Sequence, residues 1–221
     1  MNIVLDFGGV VFRWRPLAVV TAALPRRVRS EADAAHWAAL VFQNYGGDWA
    51  DFDRGTVTVP SLVARIAART GLAPAEVQAV VDAAAAELQP LPETVALIER
   101  WHAAGHRLFF LSNMPLPFAA QLEAAQFEAS HGFMRLFESG VFSSRVQLIK
   151  PEPAIFAHAA QQFGVPGRDL LFFDDQPPNV QAARACGWQA EVFSGAAQAV
   201  AAVRASQASQ ASQASQRAAA A

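Results

Sequence analysis

The sequence has few of the features that mark exported, membrane-bound or nucleic-acid-binding proteins. Cys186 is the single cysteine in 221 residues, so no internal disulfide can form, and we expect a cytoplasmic protein. No run of lysine and arginine would suit nucleic acid or an anionic membrane, and the formal net charge is only -2. No apolar run is long enough to cross a bilayer, and no basic leader precedes the first apolar segment. We therefore expect neither a nucleic-acid nor a membrane partner.

The composition does provide a full hydrophobic core. Of the 221 residues, 53% are hydrophobic and 16% are charged. A chain of this size folds as one domain with an insertion or as two small domains. We expect a globular monomer or homodimer whose partner is a small molecule.

Local patterns predict an α/β protein in two parts. Residues 3–5 form a short apolar strand, and residues 14–88 show helical patterns with no strand between them. Beyond residue 89, helices alternate with strands, which are predicted at residues 107–111, 140–142, 170–173 and 189–193. This alternation is typical of a parallel, doubly wound, Rossmann-like sheet. We predict a core of residues 1–13 and 89–204, with a helical cap, residues 14–88, inserted after the first strand.

Within the predicted cap, helices follow a polar connection over residues 13–29. Ser30 and Asp33 resemble a capping box that opens the first of them, and further helices are predicted at residues 61–70 and 74–88. Residues 49–55 are predicted as a turn between helices. Its aromatic side chains, Trp49 and Phe52, either form the core of the cap or close over a substrate.

The end of the chain has a different composition. Residues 205–216 repeat Ala-Ser-Gln four times. Such a tract can be weakly helical, but it lacks the large apolar residues that offset the entropy of ordering. We predict a disordered extension over residues 205–221.

Polar side chains follow several of the predicted strands. They are Asp6, Ser112, Lys150, Asp174 and Asp175. In a doubly wound sheet these positions meet at the carboxyl edge, where ligands bind. Three carboxylates in one place repel unless a cation joins them, and hard oxygen ligands suit Mg²⁺. We therefore expect a magnesium site at this edge.

Lys150 is the one lysine among 17 basic residues. A chain that otherwise uses arginine has kept a compact ammonium here, which suits a site where a forked guanidinium would not serve. The alternative is chance in an arginine-rich composition.

Four motifs in this chain resemble those of the haloacid dehalogenase superfamily, in the usual order. They are Asp6-Phe-Gly-Gly-Val, Leu111-Ser112-Asn113, Ile149-Lys150-Pro151, and Phe172-Phe173-Asp174-Asp175 with Asn179. The resemblance spans residues 2–193. The predicted cap, with its Asp53-Arg54-Gly55 turn, is similar to caps of the branch that holds sugar-phosphate phosphatases and epoxide-hydrolase amino-terminal domains.

The resemblance implies a Mg²⁺-dependent phosphatase acting on a small phosphate ester, with sugar phosphates among the candidates. Asp6 would attack phosphorus and form an aspartyl-phosphate. Ser112 and the backbone of Asn113 would bind phosphate oxygens, and Lys150 would neutralise the nucleophile and the phosphate.

The resemblance also implies the metal ligands. Asp6, the Gly8 carbonyl and Asp175, with Asp174 near, would hold Mg²⁺.

Arg54 would contact the phosphate or the sugar of a substrate, or else would be a solvated arginine in a turn.

Position 8 departs from the family pattern. The typical first motif has a second Asp two residues after the nucleophile, which serves as general acid and base, and this chain has Gly8 there. General acid-base assistance is commonly worth about 10²–10⁴-fold in rate. We therefore expect a slower or differently assisted phosphatase, for which glycosyl phosphates would be suitable substrates.

Two other functions remain open at this point. A 2-haloacid dehalogenase also uses an Asp nucleophile but attacks carbon and needs no metal, and the Asp174-Asp175 pair argues against it. A non-catalytic binding or regulatory protein is suggested only by Gly8.

Overall fold

The computed structural model describes residues 1–219, and a five-stranded parallel sheet lies at its centre. The strands are β1 (Asn2–Leu5), β2 (Arg107–Ser112), β3 (Ser139–Phe142), β4 (Leu170–Asp174) and β5 (Gln189–Val192). Their spatial order is β3-β2-β1-β4-β5, so β1 is the central strand. Leu5 at the end of β1 lies opposite Phe110 in β2 and Phe173 in β4. The residues that follow these strands therefore emerge at one edge.

Both faces of the sheet are buried. In β1, Ile3 and Leu5 pack into one apolar cluster and Val4 into another, and all three are fully buried. Strands that are covered on both faces carry continuous apolar runs, which is why short runs predicted them. The predicted α/β class, with a doubly wound parallel sheet, is confirmed.

Five helices lie between β1 and residue 88. They are α1 (Pro16–Ala23), α2 (Glu31–Phe42), α3 (Gly47–Arg54), α4 (Val59–Thr70) and α5 (Pro74–Glu87), with a 3₁₀ turn at Gln43–Tyr45. We call residues 14–88 the helical insertion. Its helices pack on one another, α1 against α2 and α5, and α4 against α5. The predicted N-cap forms, because Ser30 Oγ accepts a hydrogen bond from the Asp33 amide at 3.1 Å. The division into cap and core domains stays a prediction.

Two segments of the insertion differ from the sequence predictions. Within the predicted polar connection, residues 13–29, α1 forms and buries Val19 and Val20. Where a turn is predicted over residues 49–55, α3 continues to Arg54. Both helices have eight residues, too few for a clear periodic pattern, and such short helices depend on tertiary packing.

The rest of the chain alternates strands with helices as predicted, except that a helix forms over Leu116–Ala125, where the sequence indicates a less regular stretch. The helices are α6 (Pro92–Ala103), α7 (Leu116–Ala125), α8 (Ser143–Val146), α9 (Pro153–Phe163), α10 (Pro177–Ala185) and α11 (Ala196–Ala219), with 3₁₀ segments at Ala129–Leu136 and Gly167–Asp169. None of the helices described over residues 1–219 combines the length and hydropathy that crossing a membrane requires.

The end of the chain also differs from the prediction of a disordered extension over residues 205–221. Helix α11 continues to Ala219, and residues 220 and 221 lie outside the described part. Its first turns are buried at Ala199 and Val203. This packing nucleates the helix, and alanine has the highest helix propensity of all residues, so the Ala-Ser-Gln tract extends it.

Candidate active site

The central strand delivers Asp6 to the carboxyl edge of the sheet. The Asp6 amide donates to the Phe173 carbonyl at 2.9 Å, which extends the β1–β4 ladder by one residue and brings Asp6 level with Asp174. The Phe7 amide donates to Asp6 Oδ1 at 2.7 Å and fixes the carboxylate. The Asp6 side chain and the fully buried Asp174 therefore lie at the edge of a rigid core.

Lys150 lies between these two acids and is 2% exposed. Its Nζ is 2.9 Å from Asp6 Oδ1 and 2.6 Å from Asp174 Oδ2, and it donates to the Leu111 carbonyl at 3.0 Å. These contacts match the three donors of an ammonium group. Asn113 fixes the main chain of Lys150, because its side-chain amide accepts from the Lys150 N–H at 2.8 Å and donates to the Lys150 carbonyl at 2.9 Å.

Asp174 is committed to hydrogen bonds on both of its oxygens. Oδ1 accepts from the Gln176 amide at 2.8 Å and from Asn179 Nδ2 at 3.0 Å. Oδ2 accepts from Asn179 Nδ2 at 3.1 Å as well as from Lys150. The geometry makes Asp174 a fixed counter-charge for Lys150.

Asp175 lies at the cavity and approaches the loop after β1 closely. A Cβ atom on Gly9 would lie 2.7 Å from Cγ and Oδ2 of Asp175, and Gly9 has a φ of +74°. Only glycine fits both constraints. Asp175 Oδ2 accepts a hydrogen bond from Gln176 Nε2 at 2.7 Å.

The three acids form a cluster that fits a divalent cation. One carboxylate oxygen from each of Asp6, Asp174 and Asp175 lies within 4.8 Å of the others. Lys150 is the cation bonded to the cluster and offsets only part of its charge when all three acids are ionised. A set of hard oxygen donors with excess negative charge is the chemistry that binds Mg²⁺.

Burial and neighbouring charges shift the pKa values of Asp6, Asp175 and Lys150. Burial, with the charges of Asp174 and Asp175, raises the pKa of Asp6 to about 7, although Lys150 opposes the shift. Burial also raises the pKa of Asp175. At Lys150 burial disfavours the charged form, but the carboxylates of Asp174 and Asp6 outweigh this effect and raise the pKa. The ammonium therefore stays charged, and a further cation would favour ionised acids.

A cavity of about 260 Å³ opens above this cluster. Asp6, Gly8, Asn113, Lys150 and Asp175 are among the residues that line it. The large apolar side chains that line it are Trp14, Trp49, Leu88, Met114 and Phe118, and we call them the apolar wall.

The helical insertion provides much of that wall. Trp49, together with Phe52, is buried in the insertion, and Trp49 also reaches the cavity. Trp49 therefore belongs to the core of the insertion, and its closing over a substrate stays a prediction. Tyr45 also lines the cavity, and its hydroxyl accepts a hydrogen bond from Trp14 Nε1 at 3.1 Å.

The structure also brings an acid that sequence analysis missed into the cavity. Asp53 belongs to α3, is 6% exposed, and lines the cavity with Asp6. Burial, with the charge of Asp6, raises its pKa to about 8, while Lys150 opposes the shift. The spacing of Trp49, Phe52 and Asp53 along one helical face could have revealed it if the segment had been recognised as a helix.

Ser112 and Arg54, two of the predicted substrate-binding residues, differ in burial and in hydrogen bonding. Ser112 ends β2 and is 1% exposed, and its Oγ has no hydrogen-bond partner among residues 1–219. Neither Ser112 nor Arg54 lines the cavity. The Arg54 guanidinium makes a bidentate pair with Glu152, at 2.9 and 2.6 Å, which connects the insertion to the core. The structure therefore does not place Arg54 where a substrate contact is predicted.

A Rossmann-like sheet with an insertion after the first strand and acids at the ends of β1 and β4 is the arrangement expected of haloacid dehalogenase-like hydrolases. Residues 1–187 match the family model for haloacid dehalogenase-like hydrolase. The chain belongs to this family.

Several known proteins are similar to this chain. A sesquiterpene phosphatase of Aspergillus oryzae is 24% identical over 188 residues, which cover 83% of this chain and 85% of that protein. A fructose-1-phosphate phosphatase of Escherichia coli is 33% identical over 106 residues, which cover 47% of this chain and about half (51%) of that protein. In structure, a haloacid dehalogenase family enzyme of Bacteroides thetaiotaomicron, solved with magnesium and inorganic phosphate, superimposes with a TM-score of 0.65 at 17% identity, covering 88% of this chain and 94% of that one.

Proposed function

We propose that this protein is a Mg²⁺-dependent phosphatase that hydrolyses a small phosphate ester through an aspartyl-phosphate on Asp6. The observation that carries the proposal is the buried Lys150 ammonium, which lies 2.9 Å from Asp6 on the floor of the cavity. Phosphoryl transfer is catalysed mainly by positioning a nucleophile and neutralising charge. A carboxylate held against a fixed point charge meets both needs.

In the proposed reaction, an Asp6 oxygen attacks phosphorus and the bond to the leaving oxygen breaks. Lys150 stabilises the negative charge of the phosphoryl group during transfer. Ser112 Oγ and the Asn113 backbone N–H bind the oxygens that are not transferred. The unpartnered Oγ of the buried Ser112 supports this role, because buried polar atoms are nearly always hydrogen-bonded. Water then hydrolyses the aspartyl-phosphate.

Asp6, the Gly8 carbonyl and Asp175 would hold Mg²⁺. When bound, the ion would neutralise charge on the phosphate and on the acid cluster. Asp174 contributes to this site chiefly by holding Lys150, since both of its oxygens already accept hydrogen bonds.

The apolar wall indicates which kind of alcohol the phosphate ester contains. Its side chains offer mainly apolar contact area, with few groups that could hydrogen-bond to the hydroxyl groups of a sugar. A phosphate ester of an apolar alcohol would bury that alcohol against Trp14, Trp49 and Phe118, which large aromatic surfaces favour. The resemblance to a sesquiterpene phosphatase agrees with such a substrate. We therefore favour an apolar alcohol over a sugar.

The two alternatives fit the site less well. A haloacid dehalogenase would need no metal, whereas Asp175 adds a partly buried carboxylate to the acids at this cavity. A binding protein would not need the buried pair of Asp6 and Lys150. Desolvating an ion pair can cost more free energy than the pairing returns, so such a pair contributes little to stability by itself.

Initial rates on a panel of phosphate esters would test the proposal. The panel contains a prenyl monophosphate, an aryl phosphate and a hexose phosphate, each assayed with Mg²⁺ and with chelator. We expect Mg²⁺-dependent release of phosphate, with kcat/KM at least about 10-fold higher for the prenyl ester than for the hexose, the scale of two buried methylenes. Asp6→Asn is the control and should be inactive.

Two results would contradict parts of this proposal. A preference for the hexose phosphate would refute the apolar substrate. Turnover of a 2-haloacid in the presence of chelator, without release of phosphate from any ester, would refute the phosphatase.

A further inference from the structure

The helical insertion places a third carboxyl group, that of Asp53, at the cavity beside those of Asp6 and Asp175. Asp53 lines it together with Asp6, Gly8 and Lys150. Its helix is anchored to the core, because Ser143 Oγ donates a hydrogen bond to the Asp53 carbonyl. Contacts between α3 and α8 therefore hold the backbone of Asp53 at the cavity that the predicted nucleophile also lines.

The environment of Asp53 differs from that of the other acids. Among residues 1–219, hydrogen-bond donors reach the carboxylates of Asp6, Asp174 and Asp175, and none reaches the carboxyl of Asp53. The charged groups that act on it are Asp6, which disfavours its ionisation, and Lys150, which favours it. Burial and Asp6 prevail and raise the pKa of Asp53 to about 8, so this acid carries a proton at neutral pH.

Position 8 is where the family pattern has its proton donor, and here it is glycine. The nearest atoms to a Cβ placed on Gly8 would be those of Trp14, at 3.8 Å, so the local space would accept a side chain. Steric crowding therefore does not explain the missing acid. Another group that can give and take a proton would compensate for it.

We propose that Asp53 is the general acid and base of this enzyme, supplied by the helical insertion in place of an acid at Gly8. The inference rests on the proposed phosphatase function. In the first step, Asp6 forms a bond to phosphorus, the bond to the leaving oxygen breaks, and the Asp53 proton passes to that oxygen to release an alcohol. In the second, Asp53 takes a proton from water as its oxygen attacks phosphorus. The bond between phosphorus and Asp6 then breaks, which releases phosphate and restores both acids.

The dependence of the rate on the leaving group distinguishes a proton donor from a residue with only a structural role. Asp53→Asn keeps the size and polarity of the side chain but carries no acidic proton. An n-alkyl phosphate has a poor leaving group that needs the proton, whereas p-nitrophenyl phosphate does not. We expect kcat/KM to fall by about 10²–10⁴-fold for the alkyl ester and by less than about 10-fold for the aryl ester.

The second step gives an independent readout. Because kcat/KM reports the steps up to release of the alcohol, loss of the base should appear in kcat alone. With p-nitrophenyl phosphate, Asp53→Asn should release a burst of about one nitrophenol per enzyme, followed by slow turnover. Gly8→Asp in the same variant should restore much of the activity on the alkyl ester, since it returns an acid to the cavity.

Asp51→Asn is the matched control. Asp51 lies on the same helix, its side chain is 47% exposed, and it pairs with Arg65. This control should match the unmodified enzyme on both esters. Thermal melting checks that each variant is folded, and Asp53→Ala replaces Asp53→Asn if the latter does not fold.

Equal losses on the alkyl and aryl esters would overturn the assignment, and so would undiminished activity on the alkyl ester. Failure of the proposed function would look different. In that case the unmodified enzyme would hydrolyse neither ester, or would do so without needing Asp6, and the inference about Asp53 would fall with it.

Discussion

Removing the ammonium of Lys150 should harm both stability and activity, and the structure shows why. Lys150→Met keeps most of the side-chain volume but leaves the carboxylates of Asp6 and Asp174 and the Leu111 carbonyl without their common donor. Asp174 is fully buried. Breaking one side of a buried ion pair typically destabilises a protein by about 3–5 kcal/mol. For a chain of this size, that loss lowers Tm by about 6–20 °C.

The effect on catalysis should be separable from the effect on stability. We expect kcat/KM of Lys150→Met to fall by at least about 10²-fold, the scale for loss of one preorganised charge. Adding Asp174→Asn removes the buried charge that the first change leaves unpaired. The double variant should therefore regain part of the lost Tm while its activity stays low.

Lys150→Arg tests whether the site requires a compact point charge. The three acceptors around Nζ lie 2.6 to 3.0 Å away in a buried site, and a planar guanidinium is too large to replace Nζ without displacing one of them. Differential scanning fluorimetry and steady-state kinetics on the three variants would decide. A Lys150→Met protein with unchanged Tm, or a fully active Lys150→Arg enzyme, would refute this reasoning.

Three further predictions concern the metal, the buried acid and the end of the chain. Asp175→Ala should weaken Mg²⁺ binding in calorimetry more than Asp174→Ala does, and equal weakening would contradict the proposed ligand set. The pKa of Asp53 is raised from 3.8 to about 8, so its contribution to stability is complete below pH 3.8 and is lost as pH rises towards 8. The advantage of Asp53→Asn in urea unfolding with chelator should therefore grow by up to about 1.4 kcal/mol per pH unit between pH 5 and 7, and a constant difference would count against it. Deleting residues 205–221 should change the free energy of unfolding by less than about 1 kcal/mol, whereas Val203→Ala, in the buried part of α11, should lower it by about 1–3 kcal/mol. A larger loss on deletion would show that the tract packs on the domain.

The sheet and the acids at its edge could be predicted because their signals are local. A buried parallel strand is a short apolar run, and the residue after it is fixed at the carboxyl edge by the topology alone. Asp6 and Asp174 illustrate this, since pairing of β1 with β4 brings them level without any further information. Lys150 was marked by its rarity, although its contacts with both acids became visible only in three dimensions.

The insertion was harder to predict because its elements depend on distant partners. Arg13 and Arg15, which suggest a solvated connection, both pair with Glu87 at the end of α5, at 3.0 and 2.6 Å. Arg54 is bonded to Glu152, which is 98 residues away in the chain. No local pattern contains either pairing.

Asp53 was missed for a related reason. Its position above the cavity depends on α3 being a helix and on α3 contacting α8. The sequence predicts a turn there, and an acid in a turn is normally solvated. The absence of an acid at Gly8 was a sequence-level hint that a second proton carrier exists, but it did not say where.

The central claim is that Asp6 forms a covalent bond to phosphorus, and chemical trapping tests it most directly. An acyl phosphate is reduced by borohydride, which would convert Asp6 to homoserine. Tryptic cleavage after Arg13 isolates residues 1–13, in which Asp6 is the only acidic side chain, so a mass change in this peptide is unambiguous. We predict that enzyme quenched during turnover of a phosphate ester and treated with borohydride carries homoserine at position 6, and that enzyme without substrate does not. An unmodified peptide from enzyme that is turning over under conditions where the intermediate accumulates, as in Asp53→Asn with p-nitrophenyl phosphate, would contradict the claim.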